Sequence, residues 1–590
     1  MEDGRSLEEL LVGVPEEVQV EIRRFAEEIE ALESGRSDPE DFKRFRLENG
    51  VYGIRGAPDR HMVRVKVRFG RITPEQLEAV ADIADRFTPN RRIHLTTRQD
   101  IQFHHVRRRD VPLVLAHLAR VGLTTREACG NTVRNVTACP LAGISPTEAF
   151  DVTPYADAVS RYFLRNPIAQ NLPRKFKIAF EGCREDHARV RIHDIGAVAL
   201  VRDGQRGFRL YIAGGLGAQP RAAELLEEFT PADLLIPTCE AIVRVFDRHG
   251  ERRPEHTFRM RARMKFLARQ WGIERLREAI FAERRVLLAT RSGLARYEIE
   301  IEEEGPPQVA LPKGKPALWT PAPDYERWQR ENVLPQKQPG YVAVLVRCAL
   351  GDMTSEAVRA LARIARRFCG GRVRTTIGQN VLLRWVPEVA LPWVYGELVA
   401  AGLADAHALA DVTRCPGADT CQLALTHSRG LAEAVRRVLT SDGFEKIPEI
   451  NDLTIKISGC MNSCGQHHIA DIGFYGASSE IAGHALPQYV VLIGGYTEIE
   501  RVQFGRAVAR IPAQWAPRAL ARVLALYRDE RREGESFRDF VARVGPERFR
   551  EALAPLQQTP TFEDAPELYR DLGAGDELFR AEIGSGECAA

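Results

Sequence analysis

Apolar and basic residues alternate along segment 62–68, where three valines are interleaved with two arginines and a lysine. A period of two predicts a β-strand with one apolar face and one basic face. Helical spacing follows over 73–87, where Thr73 can cap the helix, Pro74 suits its first position and Gln76 can close a capping box. The pattern therefore predicts a strand followed by an amphipathic helix.

The first 50 residues are acidic, and their apolar positions Val18, Ile22, Ala26 and Ile29 follow a helical period. We interpret this segment as a helical arm that covers the folded body.

The same strand–helix unit recurs at 344–351 and 353–368, in the second half of the chain. Other short motifs recur in the same order at nearly constant offset. The matches are Gly70, Thr73, Ile83 and Phe87 with Gly351, Thr354, Ile364 and Phe368; Thr96-Thr97 with Thr375-Thr376; Cys139-Pro140 with Cys415-Pro416; Gly182-Cys183 with Gly459-Cys460; and Asp194 with Asp471. The chain is thus predicted to be a tandem duplication of about 280 residues.

Each copy divides into a strand–helix–strand unit and a longer mixed α/β unit, with a proline-rich stretch between the copies. The predicted division is 1–59 (N-terminal helical arm), 60–128 (first half-domain), 129–303 (first large domain), 304–339 (linker), 340–405 (second half-domain), 406–530 (second large domain) and 531–590 (charged, peripheral C-terminal tail).

Charge and composition narrow the class of protein. The 83 basic and 81 acidic residues nearly balance, so no general affinity for nucleic acid is expected. No signal peptide begins the sequence, and the longest apolar runs are only strand-length, so no membrane association is expected. Eleven cysteines in 590 residues are too few for a disulfide scaffold. We expect a cytoplasmic protein that uses cysteine for metal or redox chemistry.

Four cysteines form two close pairs. Five residues separate Cys415 from Cys421, and three separate Cys460 from Cys464. Four thiolates at one point make a metal site, and soft sulfur selects zinc, copper(I) or an iron–sulfur cluster. Neither pair has the Cys-x-x-Cys spacing frequent in structural zinc sites. An iron–sulfur cluster is the preferred interpretation, with zinc or unrelated buried thiols as alternatives.

The first copy retains only Cys139 and Cys183 as counterparts of Cys415 and Cys460. It therefore has at most two of the four ligands, and only the second copy is expected to carry a cluster. The first copy has basic residues instead. Lys175 and Lys177 flank a phenylalanine, so in a strand both ammonium groups point to the same side and favour an anion between them.

These motifs together resemble the sirohaem-dependent sulfite and nitrite reductases. The resemblance rests on Cys-x5-Cys, Gly-Cys-x3-Cys, Leu-Pro-Arg-Lys-Phe-Lys, Thr-Thr-Arg-Gln-x-x-Gln-Phe and the internal repeat, and covers about residues 50–530. It implies an α+β, tandem-duplicated fold with pseudo-two-fold symmetry, in which each copy has a small ferredoxin-like module and a larger mixed α/β module. It also implies two cofactors, sirohaem and a [4Fe–4S] cluster.

The resemblance also assigns roles to individual residues. Cys464 would be the thiolate shared between the cluster and the sirohaem iron, and Cys415, Cys421 and Cys460 would hold the cluster alone. The anion would meet the basic side chains Arg64, Arg134, Lys175 and Lys177. The candidates for binding the sirohaem carboxylates are Arg98, Gln102, Thr96 and Arg374.

Sulfite is the substrate that the resemblance favours, because nitrite-type members tend to carry asparagine where this chain has Lys177. The predicted activity is the six-electron reduction of sulfite to sulfide, and the alternative is nitrite reduction to ammonia. The chain shows no flavin or nicotinamide motif, so ferredoxin is the expected electron donor and a flavoprotein the second choice. Some relatives link a tyrosine to a cysteine beside the haem, and Tyr52 and Cys129 are the candidates here; otherwise Cys129 is an ordinary buried thiol.

Two other function classes remain open. A cobalamin-pathway monooxygenase would share the cluster motif, although the four basic residues argue against it. A non-catalytic iron–sulfur relay protein would need the cysteines but not the basic residues.

Overall fold

The computed structural model describes residues 5–252, 261–290, 299–302, 304–312, 314, 323–409, 411–441, 443–444 and 447–582. Parts of the predicted linker and the last eight residues of the predicted tail lie outside these residues. The N-terminal arm forms three helices, α1 (Leu7–Leu11), α2 (Glu16–Glu33) and α3 (Pro39–Glu48).

The first small module consists of five strands and two helices. They are β1 (Val51–Ile54), β2 (Ala57–Val65), β3 (Arg71–Ile72), α4 (Pro74–Phe87), β4 (Arg92–Leu95), β5 (Ile101–Arg107) and α5 (Val111–Arg120).

The first large module has a five-stranded sheet covered by helices. Its elements are β6 (Thr137–Ala138), α6 (Thr153–Phe163), β7 (Ile178–Glu181), β8 (Ile195–Arg202), β9 (Gln205–Ile212), β10 (Glu224–Pro231), α7 (Leu235–His249), α8 (Met264–Trp271) and α9 (Ile273–Thr290).

The second small module repeats the first. Its elements are α10 (Pro323–Asn332), β11 (Val333–Pro335), β12 (Tyr341–Val346), β13 (Asp352–Thr354), α11 (Ser355–Cys369), β14 (Val373–Thr375), β15 (Val381–Pro387) and α12 (Leu391–Ala400).

The second large module and the C-terminal segment complete the described chain. Their elements are β16 (Thr413–Arg414), α13 (Ser428–Ser441), α14 (Pro448–Asn451), β17 (Ile455–Ser458), β18 (Ile472–Ile481), β19 (His484–Ile493), β20 (Tyr496–Thr497), β21 (Val502–Gln503), β22 (Arg506–Pro512), α15 (Ala516–Glu530) and α16 (Phe537–Leu553).

The two small modules exchange strands. One sheet has the order β1-β2-β5-β4-β13, and the other has the order β11-β12-β15-β14-β3. Each sheet therefore ends in a strand from the other copy, with Met353 opposite Ile93 and Ile72 opposite Val373. Helices α4 and α11 pack against each other across this junction. The reciprocal exchange joins the copies into one pseudo-symmetric unit.

The two large modules share a second topology. Their sheets run β10-β9-β8-β7-β6 and β16-β17-β18-β19-β22. In each, the first three strands in sequence are parallel and the remaining pairings are antiparallel. The repeat and the sheet orders confirm the predicted α+β, tandem-duplicated fold.

The predicted helix after the first strand is present with its cap. The Gln76 backbone N–H donates to the Thr73 hydroxyl at 3.3 Å, and the Gln76 side chain accepts from the Thr73 N–H at 3.0 Å. The basic face of the preceding strand is not fully exposed to solvent. Lys66 is buried and its ammonium donates to Glu127 at 3.2 Å, because the loop after α5 covers that face.

Three expectations about the segments outside the repeat need correction. The arm does more than cover the surface, because Leu10, Leu11 and Phe25 belong to the apolar core of the small modules. The end of the predicted linker forms α10 and the edge strand β11, and buries Trp328.

The C-terminal segment is not peripheral either. Its aromatic residues Phe537, Phe540 and Phe549 are buried in the core of the second large module. Their spacing was obscured by the many charged residues between them, which occupy the exposed face of α16. Among the described helices, none is both long and apolar enough to cross a membrane.

The ion pair of Lys66 with Glu127 tests how much this buried face matters. Their side chains are 2% and 0% exposed, and Glu127 also accepts the Arg165 backbone N–H at 2.7 Å. We expect Glu127→Gln to destabilise the protein by about 3–5 kcal/mol, because it leaves a buried ammonium without its counter-charge. Scanning calorimetry should show a lower first unfolding transition.

The matched control is Glu78→Gln, which breaks an exposed pair with Arg366. It should cost less than about 1 kcal/mol. Equal effects of the two substitutions would contradict the assignment of Lys66 and Glu127 as a buried, coupled pair.

Candidate active site

The four paired cysteines lie at the ends of two neighbouring parallel strands. Cys415 directly follows β16, and Cys460 follows β17 after one glycine. Because parallel strands end at the same edge of a sheet, the loops that carry Cys421 and Cys464 meet there as well. Cys415 is buried, Cys421 and Cys460 are partly buried, and Cys464 is exposed.

The thiols are close enough to influence one another. Burial and the neighbouring Cys464, Cys415 and Cys421 raise the pKa of the Cys460 thiol well above its ordinary value. The Gly459 backbone N–H donates to Cys415 Sγ at 3.2 Å, and the Ser428 hydroxyl lies 3.4 Å from the same sulfur. The ends of β16 and β17 therefore bring the four cysteines to one edge of the sheet, and the Gly459 N–H donates to one of their sulfurs.

Two glycines keep the backbone around these cysteines tight. A Cβ on Gly459 would lie 2.5 Å from the Thr426 carbonyl oxygen and 3.0 Å from the Cα of Gly417. Gly417 has φ +69°, and a Cβ on it would lie 2.5 Å from the Ser428 hydroxyl oxygen. Such close approach brings backbone amides towards the sulfurs, which a cluster ligated by cysteine requires.

A basic cavity of about 270 Å³ adjoins Cys464. Residues of both copies line it, since Cys464 and Gln466 face Arg98 and Lys177. No aspartate or glutamate is among its lining residues in the described chain. The basic residues of the lining are Arg98, Arg174, Lys175, Lys177, Arg261, Arg263 and Lys265.

The surrounding positive charge acts on Lys177. Burial and the charges of Arg98, Arg263 and Lys175 lower the pKa of its ammonium well below the ordinary value, while the Cys464 thiol acts in the opposite direction. The Thr97 hydroxyl donates to the Cys464 carbonyl oxygen at 2.9 Å, so the two copies are also joined directly.

Arg98 is held by groups of the first copy. Its guanidinium contacts His193 Nε2 at 3.0 Å and donates to the Asn135 carbonyl oxygen. Its Nε atom is buried without a hydrogen-bond partner among the described residues. Burial lowers the pKa of Arg98 to about 10. The orphaned donor and the excess of positive charge fit a ligand that carries carboxylates.

Arg64 and Arg134 are not among the residues that line this cavity. Both donate to the Ala128 carbonyl oxygen, at 3.4 Å and 3.0 Å. The Gln102 carbonyl, in the orientation that satisfies its neighbours, accepts from Arg64 Nη2 at 2.6 Å and Nε at 2.9 Å. Gln102 therefore orients Arg64, and the structure does not place it at the cavity.

Two of the sequence-predicted ligands lie elsewhere. The Thr96 hydroxyl accepts the backbone N–H groups of Arg98 and Asp100, so it closes its own turn, and the adjacent Thr97 reaches the cavity instead. Arg374 lines a separate cavity of about 730 Å³ that also contains Glu304. It lies in β14 of the second small module and is stacked 5.2 Å above the Phe69 ring.

Sequence reasoning missed the basic residues around the start of α8. Arg261, Arg263 and Lys265 alternate over five positions, a period-two pattern that could have indicated a common side. Arg263 forms a buried ion pair with Asp194 at 2.7 Å, and Asp194 also accepts the Lys177 backbone N–H at 2.9 Å. Burial and Arg263 lower the pKa of Lys265 to about 7.

Tyr52 and Cys129, the candidates for a covalent link, belong to one buried apolar cluster. The Arg64 guanidinium lies 5.0 Å above the Tyr52 ring, which places this cluster beside the predicted anion-binding residues.

The residues present fit the two cofactors that the resemblance implies. Four gathered thiols, with the glycines around them, would hold a [4Fe–4S] cluster. Ser463, between two of these cysteines, has a buried hydroxyl without a partner among the described residues. The adjoining basic cavity would hold the carboxylates of sirohaem.

Comparison with known protein families gives two matches, each found twice in the chain. The family model described as "Nitrite and sulphite reductase 4Fe-4S domain" matches residues 129–286 and 406–559. The one described as "Nitrite/Sulfite reductase ferredoxin-like half domain" matches residues 54–121 and 334–401. The matches follow the duplication seen in the structure.

Curated relatives with both activities are similar to this chain. An assimilatory ferredoxin-dependent nitrite reductase of Haloferax mediterranei is 29% identical over 96% of this chain and 96% of its own. A ferredoxin–nitrite reductase of Synechococcus elongatus is 29% identical over 80% of this chain and 88% of its own. A sulfite reductase [ferredoxin] of Mycolicibacterium paratuberculosis is 29% identical over 82% of this chain and 80% of its own.

A solved structure supports the fold. The structure of the Mycobacterium tuberculosis NirA protein matches with a TM-score of 0.74 and 24% identity, over 92% of this chain and 100% of that chain.

Gly459 provides a test of the cluster site. We expect Gly459→Ala to reduce iron content to less than about a fifth of that of the unchanged protein, because the added Cβ displaces the backbone that positions Cys415 and Cys460. Iron analysis and the visible absorption spectrum measure the loss. Gly305→Ala is the control, since a Cβ there meets nothing within 4 Å. Normal iron content in Gly459→Ala would contradict the site.

Proposed function

The chain belongs to the nitrite and sulphite reductase family, and we propose that its preferred substrate is sulfite, which it reduces to sulfide. It is an enzyme whose cofactors are sirohaem and a [4Fe–4S] cluster. Together these supply an iron atom for the substrate anion and single electrons from the cluster.

The observation that carries the proposal is the partly buried Lys177 in a cavity lined by seven basic residues and, among the described residues, no carboxylate. Fully ionised sulfite has two negative charges and three oxygens, whereas nitrite has one charge and two oxygens. A second lysine beside Lys175 therefore benefits sulfite more, because a more highly charged anion gains more from each fixed cation in a site that excludes water.

The basic side chains divide into two chemical roles. The guanidinium groups of Arg64 and Arg134 stay protonated and would hold oxygen atoms of the anion in fixed geometry. Reduction also removes those oxygens as water, so protons must be delivered. Ammonium groups suit this task when their pKa is lowered, as it is for Lys177. Lys175 and Lys177 are therefore the proposed proton donors.

The cysteines have the complementary role. Cys415, Cys421 and Cys460 would ligate the cluster, and Cys464 would bridge it to the sirohaem iron. The position of Cys464 in the lining of the basic cavity supports this assignment. Arg98, with its orphaned Nε atom, would bind a carboxylate of the tetrapyrrole.

Nitrite is the second candidate substrate. It is favoured by the relative from Haloferax mediterranei, whose name states that activity and which matches nearly the whole length of both chains. The sequence feature against it is Lys177, at the position where nitrite-type members tend to have asparagine.

Ferredoxin is the proposed electron donor, as the names of the nitrite- and sulfite-reducing relatives state for those proteins. The exposure of Met461 supports a protein donor. This residue lies between Cys460 and Cys464 and is 43% exposed, so the loop that carries these cysteines presents an apolar side chain to solvent.

Lys177→Asn tests the choice of substrate. We expect kcat/KM for sulfite to fall by about 10²–10³, because a positioned charge is removed, and kcat/KM for nitrite to fall by less than about tenfold. Steady-state assays with reduced methyl viologen on one preparation measure both values.

Lys175→Asn is the matched control, because it removes the neighbouring ammonium and should lower both activities together. Equal losses for the two anions in Lys177→Asn, with iron content unchanged, would overturn the assignment of Lys177 as the residue that favours sulfite.

Substitution of Met461 tests the donor. Met461→Glu should raise KM for reduced ferredoxin severalfold, since it replaces the apolar surface by a charge, while turnover with reduced methyl viologen stays within about twofold. An unchanged KM for ferredoxin would show that the donor docks elsewhere.

A further inference from the structure

The first copy contains a cluster of side chains where the second copy has its four cysteines. At the offset of 276 that relates Cys139 to Cys415, the counterpart of Cys421 is Ser145. At the offset of 277 that relates Cys183 to Cys460, the counterpart of Cys464 is His187. A histidine, itself a common metal ligand, thus replaces the fourth thiol.

These side chains converge on one point. Cys139 Sγ lies 3.5 Å from Cys183 Sγ and 3.5 Å from His187 Nδ1. One oxygen of Glu181 lies 3.9 Å from His187 Nδ1, and the four candidate ligand atoms all lie within 4.8 Å of one another. Of the residues that the structure describes, this is the only such group of histidine, cysteine and carboxylate side chains.

The distances match a tetrahedral zinc site. Zinc–sulfur bonds of about 2.3 Å and zinc–nitrogen bonds of about 2.0 Å place two sulfurs about 3.8 Å apart and a sulfur and a nitrogen about 3.5 Å apart. The observed separations are 3.5 Å in both cases. Ligand atoms this close surround a single ion and leave no room for a cubane between them.

The donor types point to the same metal. Two thiolates and an imidazole form a mixed sulfur and nitrogen set, which suits zinc. The two cysteines are 1% and 2% exposed, so their sulfurs are shielded from solvent. His187 is 31% exposed at its side chain, and a cavity of about 430 Å³ adjoins Cys183. The site therefore has an entry path on one side.

Glu181 holds the loop that presents these ligands. Its carboxylate accepts the backbone N–H groups of Gly182 and Cys183 at 3.0 Å and of Ala188 at 2.7 Å. The loop from 182 to 188 is therefore fixed before any ion binds. This preorganisation lowers the cost of bringing Cys183 and His187 together.

We propose that Cys139, Cys183 and His187 bind one zinc ion, with the fourth position facing the Glu181 carboxylate. The ion has a structural role and not a catalytic one. Cys139 follows β6 and Cys183 follows β7, and Arg134 and Lys177 lie just before the same two strands. Zinc at one end of this strand pair fixes the separation of the basic residues at the other end.

The test begins with the unchanged holoenzyme, purified without metal-affinity resin or chelator. Elemental analysis should find about one zinc per chain in addition to the iron of the cofactors. The zinc K-edge absorption should show two sulfur neighbours at about 2.3 Å and lighter neighbours at about 2.0–2.1 Å.

Variants then locate the ion. His187→Ala and Cys183→Ser should each lower zinc content more than fivefold while iron content and the haem absorption are retained. Cys239→Ser is the matched control, because it alters an equally buried thiol in α7, and its zinc content should equal that of the unchanged protein.

The following results would overturn the proposal: an iron-replete holoenzyme without zinc, zinc content unaffected by His187→Ala, or a disulfide between Cys139 and Cys183 in peptide mapping under nonreducing conditions. An iron-replete, active enzyme without zinc would refute this site alone and leave the proposed reductase function intact. Absence of iron and of haem absorption would count against the function instead.

Discussion

The structure depends on a concentration of positive charge placed where the two copies meet. Lys177 and Arg98 lie partly buried in the cavity beside Cys464, and no carboxylate is among the described residues that line it. Buried charges of one sign are costly unless opposite charge enters. The carboxylates of the tetrapyrrole and the substrate anion are the groups that can supply it. Binding of the cofactor and stability of this interface are consequently coupled.

The duplication explains how one chain builds such a site. Each large module has its candidate functional residues next to its first two parallel strands, but the two copies differ in which residues these are. The second copy retains four cysteines after β16 and β17. The first copy has Arg134 and Lys177, the proposed anion-binding residues, before β6 and β7, and it has Ser145 and His187 at the positions of two of the four cysteines. Strand exchange between the small modules holds the two specialised ends in contact.

Much of this arrangement was predictable, because it depends on local pattern. The capped helix α4, the offset between the copies and the two cysteine pairs all follow from spacing within short segments.

The choice of Thr97 over Thr96 was not predictable, since it depends on which hydroxyl is used to close the turn. The location of Arg374 was not predictable for a similar reason: its motif recurs in the second copy, but Arg374 lines a different cavity. The burial of Lys66 was not predictable, because its partner, Glu127, is distant in sequence. The aromatic residues of α16 were overlooked because the segment is rich in charged residues. Its composition suggested an exposed tail, although the aromatic residues are buried.

The reciprocal strand exchange also constrains how the chain can fold. During synthesis, the edge of β4 has no neighbour until β13, residues 352–354, has emerged from the ribosome. The first sheet therefore stays open while the first large module and the linker are synthesised, and an open edge is a site where other chains can pair. Native assembly requires the late arrival of a short strand, so chaperone binding to the nascent first half would protect the protein during this interval.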